Sequence, residues 1–315
     1  MQERDRNNGK DSFGGKKKKV LVFIVCYSAK RPIELVLNQI PGDVWENNDF
    51  NTEVLIIDDQ SPGRTLNEAE DYSRRHPRRD VTVLYNPKNQ GYGGSQKMGY
   101  RYAITNGFDA VVLLHGDGQY APEYLGRMIR PVLNGEAEVV FGSRMIHWKD
   151  ALKGRMPIYK WVGNQILTFV QNRIMKSHLS EFHTGYRCYS VAALKSIPFD
   201  CNSDYFDFDT DIIIQLLDTA KRIKEISIPT FYGNEISGVN AVKYAVRVVH
   251  SCILSRLNKI GLYCHPKFDY EPASNYYYRP KFGYASSHQF AFDEIRPEQR
   301  CWMSAVGLAS WLRSL

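Results

Sequence analysis

The stretch Ala110 to Pro122, AVVLLHGDGQYAP, concentrates side chains that can do chemistry. An aliphatic run stops at His115, Gly116, Asp117, Gly118 and Gln119, and a proline then opens a helix. A carboxylate between two glycines lets the backbone come close to a metal-chelated phosphate. The plainer alternative is a glycine-rich turn that carries a surface aspartate. Similar polar clusters follow other apolar runs: Tyr27 after VLVFIVC, the pair Asp58 and Asp59 after EVLII, Gly91 with Gly93 and Gly94 after VTVLY, and Arg144 after VVFGS. The chain therefore repeats one pattern, an aliphatic run that ends in residues able to bind anions, metals or sugars.

Those runs define the elements that must position the clusters. Val20 to Cys26, Glu53 to Ile57, Val81 to Tyr85, Ala110 to Leu114, Glu138 to Phe141 and Ile223 to Ile228 read as strands. Helices are predicted over Pro32 to Ile40, from Thr65 to about His76 with Thr65 and Glu68 as a capping box, through about Asn106, over Pro122 to Leu133, and over Pro157 to Met175. Strands alternating with helices need crossover connections, so the expected fold is α/β with a mostly parallel central sheet flanked by helices. In such a sheet Tyr27, Asp58, Asp59, Gly91, His115, Asp117 and Arg144 share the edge formed by the strands' carboxyl ends. The glycines near Gly91 follow the third strand rather than the first, which excludes a dinucleotide fingerprint. A nucleotidyltransferase would want a basic, glycine-rich loop after the first strand, and CYSAKRP lacks the glycines.

Composition narrows the class further. The chain has 315 residues, 43% of them hydrophobic, enough for a large core. Six cysteines occur without CxxC spacing, so neither a zinc site nor a disulfide framework is indicated, and a reducing cytoplasmic setting is expected. No apolar stretch is long enough to span a bilayer. A net charge of +7 favours anionic partners such as nucleotides, phosphates or lipid headgroups.

The ordered set VLVFIVCYSAKRP, VLIIDDQSPGRT, NPKNQGYGGSQKMG, LLHGDGQYAPEYL, VVFGSRM, EFHTGYRCYS and FDFDTDIIIQLL, spread over residues 19 to 240, resembles the family 2 glycosyltransferases of the GT-A fold. Within them it is most similar to the polyprenyl-phosphate sugar transferases typified by dolichol-phosphate mannosyltransferase. The resemblance implies a GT-A domain over 19–262 with a Rossmann-like sheet. It also implies a nucleoside-diphosphate sugar as donor, Mn2+ or Mg2+ as cofactor, no nucleic acid, and inverting transfer to polyprenyl phosphate. A sugar hydroxyl in a glycan is the alternative acceptor, and a catalytically degenerate nucleotide-sugar binding protein is the non-enzyme alternative.

Residue by residue, the resemblance implies that Tyr27, Asp58 and Asp59 hold the nucleotide and that Asp117 and Gln119 belong to the metal motif. Gly91 and Arg144 join the cofactor-binding set. His115 stands where the family has its first motif carboxylate. It is either a metal ligand or a strand-end histidine bonded to a backbone carbonyl. Lys97 lies near phosphate or is solvated on a helix surface. Arg187 matches the family's Gly-Phe-Arg and either grips a phosphate or forms an ion pair with Glu181 or Asp211. Asp209 is expected to cap the helix that follows. Asp211 is the candidate base, a positioning group or the partner of Arg187. The loop over 229–238 lacks the cation that many relatives carry.

The ends of the chain are read separately. Residues 1–18, with the run Lys16 to Lys19, are expected to form a basic tail that anionic membranes attract. From Asn240 to Ile260 a helix puts Val242, Val246, Val249, Ile253, Leu257 and Ile260 on one face, for peripheral membrane contact or for packing on the domain. Residues 263–300 read as a linker whose end resembles the lead-in to an S-adenosylmethionine-dependent methyltransferase. Reading Cys301 to Ser304 one nucleotide earlier yields Leu-Asp-Val, so 301–315 are expected to be a frameshifted tail that packs on nothing.

Overall fold

A computed structural model describes residues 16–27, 32–61, 65–118, 120–230, 240–268, 270 and 285–286. The expectations for residues 1–15, the Thr65 side chain, Gln119, the loop over 231–239 and the tail beyond 286 fall outside the described residues. So does most of the linker.

Among the described residues the strands are β1 (Lys18–Cys26), β2 (Phe50–Asp58), β3 (Asp80–Tyr85), β4 (Ala110–His115), β5 (Val139–Ser143), β6 (Arg187–Ser190), β7 (Ile223–Ser227) and β8 (Ala285–Ser286). The helices are α1 (Ile33–Gln39), α2 (Gly42–Trp45), α3 (Thr65–Arg75), α4 (Tyr92–Thr105), α5 (Leu125–Leu133), α6 (Trp148–Lys153), α7 (Ile158–Met175), α8 (Val191–Lys195), α9 (Phe208–Asp218) and α10 (Ala241–Lys259). All strands join one sheet in the order β7-β5-β6-β4-β1-β2-β3-β8. Pairing is parallel at β1–β2, β1–β4, β2–β3 and β5–β7, and antiparallel where β6 meets β4 and β5 and where β8 meets β3.

The continuous aliphatic runs follow from burial on both faces of the sheet. Val20, Val22 and Ile24 of β1 point into one core with α1, α3 and α5, while Leu21 and Phe23 point into another with α4, α8 and α9. β2 and β4 divide their residues in the same way. The sequence reading missed β6, whose four residues carry too short a pattern to register.

β1 lies between β2 and β4, so the chain leaves it to opposite sides at a topological switch point. The carboxyl ends of β1 and β4 lie side by side at that point, at Tyr27 and at His115 to Asp117. Because β6 runs backwards, its first residue, Arg187, is in register with Leu113 and Phe141 and reaches the same edge. The lysine run is not wholly a tail, since Lys18 and Lys19 begin β1 at the opposite end of the sheet. There Lys19 Nζ donates to the Asn106 carbonyl at 2.9 Å and lies 4.5 Å from the centre of the Phe108 ring.

Candidate functional site

The close approach of β4 to β1 depends on Gly116. A Cβ there would stand 2.4 Å from Cys26 Sγ, and the Gly116 amide donates to the Val25 carbonyl at 3.1 Å. Gly118 adopts φ +73°, a left-handed conformation that suits glycine, and so turns the chain just after Asp117. Asp117 is only half-buried in this turn.

His115 does not bond a backbone carbonyl. Its Nε2 lies 3.2 Å from the Tyr92 hydroxyl, which in turn donates to Asp209 Oδ2 at 3.1 Å. Tyr92 has one proton and gives it to Asp209, so its oxygen accepts from His115. Nε2 therefore carries the hydrogen, and Nδ1 keeps the lone pair. Burial holds the imidazole below the ordinary histidine range, so it is neutral at pH 7 and able to ligate a metal. Gly185 leaves room for this contact, because a Cβ there would stand 2.4 Å from His115 Nε2.

Behind this relay, Asp209 meets Arg187 at 3.2 Å and accepts from Gln96 Nε2 at 3.0 Å. Arg187 is completely buried and also donates to the carbonyls of Asp209 and Phe182 at 3.1 and 3.0 Å. Its partner is thus Asp209, and neither Glu181 nor Asp211; in this position it does not grip a phosphate. Asp211 pairs with Lys267 at 3.0 Å and accepts from the Ser203 amide at 3.1 Å, so the expected base faces away from the relay. Nor does Asp209 cap α9. Asp207 is the N-cap residue and Asp209 sits in the first turn.

Two further expectations change. Lys97 is not solvated: it is buried, pairs with Asp204 at 2.8 Å and donates to the Asn202 carbonyl at 2.5 Å. The amide of Gly91, at φ +84°, donates to Asp59 Oδ2 at 3.1 Å, and those of Gly93 and Gly94 donate to the Asp204 carbonyl. Gly91 and Gly93 thus admit the loop at 203–204 against α4, and the amides of Gly93 and Gly94 are engaged there. Asp59 is likewise committed, accepting from Asn86 Nδ2 and the Gln90 amide, both at 2.8 Å.

The remaining predicted residues do meet at the carboxyl edge. Asp58 is in register with Cys26 and accepts from the Ser61 amide at 2.8 Å, and the next residue along β1 is Tyr27, whose ring is 60% exposed. Arg144, at the end of β5, is fastened by Glu181, which accepts from its Nε at 3.0 Å, from its backbone amide at 2.8 Å and from Nη2. Burial by itself would raise the Glu181 carboxyl, but the Arg144 guanidinium outweighs it and holds the group below the usual range. Arg144 Nη2 also donates to the His183 carbonyl at 2.9 Å, and His183 Nδ1 meets the Tyr244 hydroxyl of α10 at 2.9 Å.

Sequence reasoning missed Tyr92, Glu181 as the clamp on Arg144, and the role of Asp209. For Asp209 the signal was present in FDFDTD. Residues 207 and 211 share one helix face, whereas 209 points away from both.

No group of three or more His, Cys, Asp or Glu side chains placed to hold a metal occurs among the described residues. The donor set around Asp117 and neutral His115 fits instead an ion that keeps most of its coordination for water and substrate phosphate.

The description "Glycosyl transferase family 2" matches residues 22–197. An undecaprenyl-phosphate mannosyltransferase of Micrococcus luteus is 30% identical over 226 residues, covering 69% of this chain and 85% of that protein. A UDP-N-acetylglucosamine--dolichyl-phosphate N-acetylglucosaminyltransferase of Methanococcus voltae is 25% identical over 255 residues, 77% of this chain and 98% of that one. Among solved structures, glucosyl-3-phosphoglycerate synthase from Mycobacterium tuberculosis in complex with Mn2+, UDP-glucose and phosphoglyceric acid superposes with a TM-score of 0.54 at 13% identity. It covers 78% of this chain and 80% of that one, a likeness of fold.

Proposed function

The chain belongs to glycosyl transferase family 2, and from that premise we propose that it moves a sugar from a nucleoside-diphosphate sugar to the phosphate of a polyprenyl lipid, inverting the anomeric carbon. The observation that carries the acceptor class is the pair of lipid-phosphate transferases whose sequences align over most of their own length.

The switch-point edge takes the donor. The exposed Tyr27 ring offers a stacking surface for the base, and Asp58 is an acceptor for base or ribose hydrogens. A divalent cation held by Asp117, with His115 and Gln119 as further donors, would stabilise the charge of the departing diphosphate. Arg144, fixed by Glu181, adds positive charge at the neighbouring strand end. A lipid phosphate is already anionic, so its oxygen attacks without a base. That agrees with Asp211 being tied to Lys267.

Transfer assays with manganese, a panel of nucleotide sugars and a short-chain polyprenyl phosphate test this reading. Product from the lipid phosphate, undiminished in Asp211→Asn, supports it. Transfer to simple glycosides alone, collapsing in that variant by a factor of about 100 or more, would replace it with a hydroxyl acceptor.

A further inference from the structure

A histidine serves a cation only through a ring nitrogen that carries no hydrogen, and which nitrogen that is depends on the hydrogen bond the other one makes. What His115 can do is therefore set by what lies behind its Nε2.

The hydrogen bonds there run in one direction. Tyr92, Gln96 and Tyr100 follow one another at intervals of four on α4, so they share a helix face. Tyr100 donates to Gln96 Oε1 at 2.7 Å, which assigns the Gln96 amide nitrogen to the Asp209 side. Asp209 Oδ1 then accepts from Gln96 Nε2 at 3.0 Å and faces Arg187 Nη1 at 3.2 Å. Its other oxygen, Oδ2, takes the Tyr92 hydroxyl at 3.1 Å. A carboxylate only accepts, and a phenol at neutral pH has one hydrogen, so Tyr92 can only accept from His115.

Tyr92 is itself held in place. The Gly91 amide before it donates to Asp59 Oδ2 at 3.1 Å, Phe206 stacks on its ring at 5.1 Å between centroids, and the His115 ring meets it at 5.6 Å.

We infer that Tyr92 and Asp209 are positioning residues for the metal motif: they keep the His115 hydrogen on Nε2, commit Nδ1 to the cation, and so favour manganese over magnesium, which takes nitrogen donors poorly. The purpose rests on the family reading of the motif as a cation site, although the direction of the hydrogen bonds does not.

An isosteric change reverses that direction. In Asp209→Asn the side-chain oxygen stays with Gln96 Nε2 and Arg187, which only donate, so the new amide nitrogen turns to Tyr92. The Tyr92 oxygen then accepts from that amide, and its hydrogen swings to His115 Nε2. The imidazole hydrogen moves to Nδ1 and closes the nitrogen that would meet the cation.

Nitrogen-15 NMR of the full chain, free of metal, reads the tautomer directly, with the His115 signals identified by their loss in His115→Ala. Wild type should carry the hydrogen on Nε2 and Asp209→Asn on Nδ1. Tyr92→Phe keeps the ring, loses the hydroxyl and should show a mixture of the two; it carries the test alone if Asp209→Asn does not fold. Manganese titration followed by electron paramagnetic resonance, with UDP or GDP present, should give an affinity about 10–100-fold lower in either variant, with magnesium binding much less changed. In a His115→Ala background Tyr92→Phe should weaken manganese no further, whereas a purely structural role would weaken it in both backgrounds.

Hydrogen on Nδ1 in the wild type, the wild-type tautomer kept by both variants, or manganese affinity unmoved by Tyr92→Phe overturns the proposal. Absence of manganese binding by the wild type with either nucleotide, the tautomers being as stated, refutes the cation reading of the motif instead and leaves the hydrogen-bond assignment standing.

Discussion

Asp209→Asn removes the charge opposite Arg187 while keeping the shape of the side chain. Arg187 is wholly buried, and its other hydrogen-bond acceptors are the carbonyls of Asp209 and Phe182, so no second carboxylate takes over. Breaking a buried pair by removing one partner costs about 3–5 kcal/mol, because the surviving charge stays out of water without compensation. For a domain of this size each kcal/mol shifts the melting temperature by roughly 2–4 °C, so a fall of about 6–20 °C is expected. Urea unfolding followed by circular dichroism measures the loss, with an unchanged slope confirming that the unfolded state is the same. Arg187→Met should also destabilise, because it leaves the Asp209 carboxylate without its buried cation. Arg187→Met with Asp209→Asn should lose much less than the sum of the two single changes, a coupling of about 1–3 kcal/mol. A cost below about 1 kcal/mol for Asp209→Asn, or strict additivity in the cycle, would refute the pair as the anchor of the relay.

Asp117→Ala should abolish manganese-dependent nucleotide-sugar binding in titration calorimetry and change stability by less than about 1 kcal/mol, because no core volume is removed. His115→Asp should move metal preference from manganese towards magnesium, the harder ion; unaltered preference in a metal-titrated activity assay would take His115 out of the coordination sphere. Burial lowers the His183 imidazole to about 4, against about 6.5 when unfolded. Its contribution is therefore complete above pH 6.5 and is lost as pH falls through 4, by about 3 kcal/mol. Denaturation midpoints of wild type and His183→Gln across that window should converge at acid pH, and parallel curves would exclude His183 as the source.

The strand end was where the sequence spoke most directly. Aliphatic runs long enough to be buried on both faces announce a parallel sheet, and parallel strands bring their carboxyl ends together whatever their order. Tyr27, Asp58, His115, Asp117 and Arg144 could therefore be placed at one edge before any coordinates, and the ordered motifs identified the family. What tertiary structure decided was partnership. Arg187 meets Asp209 because β6 enters the sheet antiparallel, so that its first residue lies at the site edge; four residues carry no signal of direction. Asp211 finds Lys267, Lys97 finds Asp204, and Asp59 finds the loop after β3, each across a sequence gap that no local pattern spans. The polarity of α7 belongs to the same class. A helical period shows that two faces differ, but which of them turns inwards depends on what the fold places beside the helix. Here that is a set of hydrogen-bonding groups around Glu181, and the polar face went in.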